Sequence, residues 1–195
     1  ALTTAAAEAA VLDFEGVICG GPCGNGTAIE QTYGDIAGVD VVYDGNPGQL
    51  GLEGFAFWST AYSDLSNVAY YGGGAELSFL GLGGSGVFLD SLDLGAWPNA
   101  DRQLGFTVTD LLNGNQLFDT GLVTVSGAIR SSFNLALQST VGLKVTFLGD
   151  FFNGGVDNIV YGTTEPPISP IPLPASAFFL IGGLAGLAAL RRRRA

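Results

Sequence analysis

The sequence predicts an all-β protein: a single β-sandwich domain, jelly-roll-like, followed by a Pro-rich spacer and one C-terminal transmembrane helix. Three observations predict it. Eleven short β-rich runs, separated by clusters of Gly, Asn, Asp and Pro, lie between residues 11 and 162, the spacing of sandwiches and jelly rolls. No stretch of that body holds a helical period for more than about two turns. The composition then changes abruptly, to five prolines within residues 166–174, sixteen uncharged residues at 175–190, and four arginines.

In chain order, residues 1–10 ("ALTTAAAEAA") are small and lack an apolar period. Ala7-Glu8-Ala9 has the A-x-A form of a secretory cleavage region, and the chain has no Met. The segment is therefore read as a signal-peptide remnant, with a short disordered tail as the alternative. The domain proper is expected over 11–162. Its runs are 11–18, 38–43, 55–59, 67–72, 75–80, 86–94, 104–112, 116–127, 133–139, 142–149 and 156–162. The clearest strand is Leu143–Phe147, where Leu143, Val145 and Phe147 alternate with Lys144 and Thr146, so the first set faces the core and the second the solvent. The clearest turn is Asn113-Gly114-Asn115, the Asn-Gly hairpin signal.

Cys19 and Cys23 flank Gly20-Gly21-Pro22. An even count in an exported chain favours a disulfide, and the turn brings the sulfurs together. Reduced thiols are the alternative. A redox pair normally has two intervening residues, and zinc needs further ligands that a chain without His does not supply.

The formal charge is −11, divided as −15 over residues 1–165 and +4 over the rest. So acidic a body repels nucleic acid, and no nucleic-acid partner is expected. The absence of His removes Ser–His–Asp and Cys–His catalysis and most transition-metal sites. Residues 81–86, "GLGGSG", match G-x-G-x-x-G, but a strand-like run follows where a dinucleotide site needs a helix. No pair of the 18 carboxylates is singled out for glycosidic chemistry, and the protein is expected not to be an enzyme.

Two ligand chemistries are left. Calcium takes carboxylate, amide and carbonyl oxygens. If the first and last strands are neighbours, as in jelly rolls, Glu15 comes near Asp157 and Asn158, the candidate calcium ligands. Their other reading is solvated or turn-capping carboxylates. Trp58, Tyr62, Tyr70, Tyr71 and Trp97 exceed what a small core needs. Expected to be exposed, they include Trp58 and Trp97 as candidate residues for stacking on sugar rings; core packing is the alternative for each.

The tail reads in three parts. Residues 163–174 form a stiff, extended proline spacer. Residues 175–190 reach about 24 Å as a helix, and snorkelling arginines extend this toward the roughly 30 Å hydrocarbon core. Residues 191–195 would be cytoplasmic, with Arg191, Arg192, Arg193 and Arg194 fixing the orientation by the positive-inside rule.

The order proline motif, short apolar helix, arginine cluster resembles the PEP-CTERM class of bacterial sorting signals. It is similar to the variant named for V-P-L-P-A, with Ile171 in place of Val and Pro172, Leu173, Pro174 and Ala175 as in the motif. The resemblance implies an exosortase as processing partner and transient residence in the inner membrane of a Gram-negative bacterium. Transfer to the cell surface or extracellular matrix would follow. The body also resembles the secreted β-rich domains that precede such tails, through "LDFEG" (12–16), "YGD" (33–35) with "VDVVY" (39–43), "DLGAWPNADR" (93–102) and "VDNIVYG" (156–162). The expected function is a structural or adhesive role in an exopolysaccharide layer. The alternative is a surface-anchored carbohydrate-binding module, and a hydrolase comes third.

Overall fold

The computed structural model describes residues 8–45, 55–70 and 74–164. They form twelve strands and one 3-10 turn (Phe151–Asn153), with no α-helix among the described residues. The strands make two six-stranded antiparallel sheets facing each other across one core. One sheet runs β10 (Ser131–Ser139), β6 (Gly86–Ala96), β12 (Gly154–Thr164), β4 (Val68–Tyr70), β3 (Ala56–Trp58), with β1 (Ala9–Leu12) also paired to β12. The other runs β2 (Val39–Asp44), β5 (Glu76–Gly81), β11 (Gly142–Gly149), β7 (Arg102–Asp110), β8 (Gln116–Asp119), with β9 (Val123–Val125) also on β7.

The core follows from alternation. Val39, Val41, Leu77, Phe79, Phe106, Val108, Leu143, Val145 and Phe147 enter from one sheet, and Leu89, Leu92, Leu94, Val156, Ile159 and Tyr161 from the other. Each such side chain gains about 1.5–3 kcal/mol by leaving water. Phe106 is fully buried against the rings of Phe118, Phe133 and Phe147. On β11 the expected inward set is buried, but Lys144 and Thr146 are half-buried. Both donate to Glu76 Oε1 on the neighbouring β5, at 2.9 and 3.1 Å.

The first and last strands are neighbours, with Leu12 opposite Ile159. Strand β1 begins at Ala9, inside the segment read as a tail, and β12 runs on to Thr164. The run expected over 11–18 stops early, because Phe14 (φ 52°) and Gly16 (φ 79°) leave the extended region. The run 116–127 divides into β8 and β9 around Gly121 (φ 58°). The Asn113–Asn115 turn is present with Gly114 at φ 73°, inside a five-residue connection, 111–115. The "GLGGSG" segment carries the chain from β5 in one sheet to β6 in the other, and a strand, not a helix, follows it.

Three adjacent strands break their ladder at one level. Register shifts fall between Asn134 and Leu137 on β10 and between Asp157 and Val160 on β12, which pairs with β6. Ala136 (φ 51°) and Asn158 (φ 51°) take left-handed conformations there. Such bulges add a residue to one strand and re-aim its side chains. On β12 the core positions therefore step from Val156 to Ile159.

The spacer, apolar segment and arginines (165–195), with Pro172 to Ala175 and Arg191 to Arg194, lie outside the described residues. No helix among the described residues is long and apolar enough to cross a membrane.

Candidate functional site

On the outer face of the β10–β6–β12–β4–β3 sheet, two cross-strand rungs of β6 and β12 lie side by side. Gly95 pairs with Gly155, and two residues along, Asp93 pairs with Asp157. Leu94 and Val156 between them point into the core. The two rungs carry different chemistry.

The glycine rung is covered by the β3–β4 connection. A Cβ on Gly95 would stand 2.7 Å from the Tyr62 carbonyl oxygen; one on Gly155 would stand 2.7 Å from Val68 Cγ2 and 2.9 Å from Tyr62 Cδ1. Only glycine lets the connection lie flat here. Ser63 fixes it: its backbone N donates to Ala96 O (3.1 Å), its hydroxyl donates to Ser126 O (2.6 Å), and Ala96 N donates to its Oγ (2.9 Å). Tyr62, Leu65, Val68, Tyr70 and Ala56 thus build a small second core, with Trp58 and Trp97 packed against it.

The aromatic side chains of this second core meet at its edge. Tyr62 stacks on Tyr70 (6.4 Å, 25°), and Trp58 meets Tyr70 edge-on (5.7 Å, 90°). Trp97 and Phe152 complete the walls, edge-on to Trp58 (6.0 Å, 76°) and Tyr70 (6.1 Å, 90°) respectively. Together the five line an open pocket of about 40 Å³. Trp97, which precedes a cis peptide to Pro98, is held from both sides of its backbone. Its N donates to Asn153 O (2.8 Å), and Arg102 Nε donates to its carbonyl (2.7 Å). Burial raises the hydroxyl pKa of Tyr62 and of Tyr70, so both stay protonated at any physiological pH. The walls offer apolar aromatic faces and no charge, a surface suited to the C–H face of a sugar.

The aspartate rung is polar and buried: Asp93 is 9% exposed and Asp157 4%. Asn158, turned by the bulge, donates its backbone N to Asp157 Oδ1 (2.7 Å) and its side-chain amide to Asp93 Oδ2 (3.0 Å). Arg130 Nε lies 3.2 Å from Asp93 Oδ2. Asn67 donates to Glu15 Oε2 (2.6 Å), and Asp13 Oδ1 accepts from Tyr33 (3.1 Å). Burial above all, then the charges of Asp93, Asp13 and Glu15, push the Asp157 carboxyl up to about 8, against the opposing Asn158 N–H bond. At neutral pH it mostly keeps its proton.

The candidate ligands Glu15, Asp157 and Asn158 are thus brought into one neighbourhood. Among the described residues, no group of three or more His, Cys, Asp or Glu has the arrangement of a metal site. Cys19 and Cys23 are joined, with Cα atoms 5.5 Å apart. Trp58 and Trp97 come together as one half-buried pair. Tyr62 and Tyr70, expected to be exposed, are buried at 2% and 6%, because the connection that carries Tyr62 folds onto the glycine rung and stacks Tyr62 on Tyr70 of β4. Tyr71 lies outside the described residues. Phe152 is a wall that the sequence reading did not select, though the "DFFNGG" stretch of 150–155 carries the signal: an aromatic residue in a turn just before two glycines.

No family model matches the chain, and no curated protein matches it. Among solved structures it is similar to the C-terminal CBM6 of LamC, a marine laminarinase from Zobellia galactanivorans. The identity is 14% and the TM-score 0.35, over 55% of this chain and 88% of that one. It is also similar to a CBM51 from Clostridium perfringens GH95 in complex with methyl-galactose (15%, TM-score 0.34, 64% and 88%). A third is the CBM32 of AlyQ in complex with 4,5-unsaturated mannuronic acid (21%, TM-score 0.32, 66% and 95%). Likenesses of this size carry no inference about a ligand.

Proposed function

We propose that this chain is a non-catalytic carbohydrate-binding module, exported and held at the cell surface by its tail. The observation that carries the reading is the open pocket walled by Trp58, Tyr62, Tyr70, Trp97 and Phe152 at one end of the sandwich. Aromatic walls without charge suit neutral sugars, and the −15 of residues 1–165 opposes polyanions. Adhesion within an exopolysaccharide layer is then a consequence of sugar binding. A glycan array tests this. Neutral saccharides should retain the protein, and Trp58→Ala and Trp97→Ala should lose retention; a wild-type protein that binds nothing on the array refutes it.

Membrane anchoring and exosortase processing rest on the tail sequence alone, Pro172 to Ala175 and Arg191 to Arg194. Replacing the four arginines by Ala should redistribute the protein between membrane and soluble fractions, and unchanged fractionation counts against the anchor. Calcium at Glu15, Asp157 and Asn158 is a separate proposal. It is supported by the shared neighbourhood of these oxygens and requires Asp157 to give up its proton.

A further inference from the structure

The pocket is small for the ligand class just proposed, and the difference is informative. A cavity that accepts benzene, a six-membered ring, has about 150 Å³. This pocket offers about 40 Å³. A pyranose ring is no smaller than benzene, so it does not enter; a substituent of one or two carbon atoms does. The lining is aromatic carbon from five side chains, none of them charged. The Tyr62 hydroxyl is turned to the Phe152 carbonyl, at 3.5 Å. A hydroxymethyl group placed here would bury its hydroxyl among ring carbons without a good partner, whereas a methyl group loses nothing. Outside the pocket, Phe152 is 46% exposed and gives the ring's C–H face something to lie on.

We infer that the pocket recognises a methyl group carried by a neutral sugar, with the ring seated at the mouth on Phe152 and the tryptophan edges. The inference rests on the sugar-binding reading and narrows it to a class. Two sources supply the same chemistry: the C6 methyl of a 6-deoxyhexose and the methyl of an acetylated sugar. Uronic acids and sulfated sugars fall outside the class, since the walls hold no cation.

The chain's two tryptophans both line the pocket, so intrinsic fluorescence reads it directly. The full chain, carried in lipid nanodiscs, is titrated with the 2-hydroxyethyl glycosides, whose aglycone bears no methyl group, of a hexose, its 6-deoxy counterpart, an N-acetylhexosamine and a uronic acid. At least one methyl-bearing glycoside should bind about tenfold tighter than the parent hexose, the scale set by an unpaired buried hydroxyl. Which one does so identifies the source. Phe152→Ala removes a half-exposed wall and should abolish the preference while leaving the melting temperature within about 2 °C, as for a surface change. The inference is overturned if the parent hexose binds as well as both methyl-bearing sugars, or if the preference survives Phe152→Ala; in either case sugar binding itself stands. If no glycoside changes the fluorescence, the sugar-binding reading falls and takes the inference with it.

Discussion

The glycine rung and the aspartate rung share two strands and one face, a separation of about 6.6 Å along the strands. Over Gly95 and Gly155 a connecting segment lies flat and stacks its aromatic residues into a pocket. Over Asp93 and Asp157 the same face holds carboxyl groups, an amide and an arginine. The difference lies in what each rung lets approach. Without side chains, backbone meets backbone and aromatics gather at the edge. With two carboxyl groups, the sheet keeps polar partners and a proton.

The largest expected effect comes from closing that difference. Gly95→Val should drive a side chain into the Tyr62 carbonyl and lift the covering connection. Overpacking of this kind costs about 1–3 kcal/mol, and the melting temperature should fall by roughly 2–4 °C for each kcal/mol in a domain of this size. Sugar binding should vanish with it. A variant that melts like the wild type and still binds would show that the connection does not depend on the bare rung.

A smaller effect is expected at the other rung. Asp157 titrates near 8 in the folded protein, above its unfolded value of 3.8. Between those pH values the folded state holds a proton that the unfolded chain has released. Stability should therefore fall as pH rises from about 4 to 8 and level off above, with a slope from this group of at most about 1.4 kcal/mol per pH unit. Asp157→Asn should flatten that limb in urea unfolding measured from pH 4 to 9. An unchanged slope would mean that the carboxyl ionises freely.

The comparison also shows what the sequence could reveal. Alternation placed Leu143, Val145 and Phe147 inward, because a strand's period is local. The meeting of chain ends that puts Glu15 near Asp157 was legible from the sandwich class. Which aspartate would face Asp157 was not: Asp93 is 64 residues away in sequence, and only the β6–β12 register joins the two. The aromatic residues were legible by type, but their burial was not. Tyr62 reads as a loop residue, and it is buried because two distant glycines make room for it. The bulge at Asn158 breaks the period of β12 and hides which of Asp157 and Asn158 points outward.

The smallest expected effect is from calcium. The cation competes with the Asp157 proton, so any rise in melting temperature in millimolar calcium should be greater at pH 9 than at pH 6 and absent in Asp157→Ala. Equal melting in calcium and chelator at both pH values removes the cation from the aspartate rung.

On this account the aromatic pocket beside the glycine rung binds sugar and the aspartate rung does not. Two tryptophans give two indole N–H signals in a nitrogen–proton correlation spectrum, one each from Trp58 and Trp97, while the backbone amides of Asp157 and Asn158 report the other rung. A neutral saccharide found to bind on the array should move both indole signals in step and saturably, and leave those two amides in place. Movement of the Asp157 and Asn158 amides with both indole signals fixed would contradict the account.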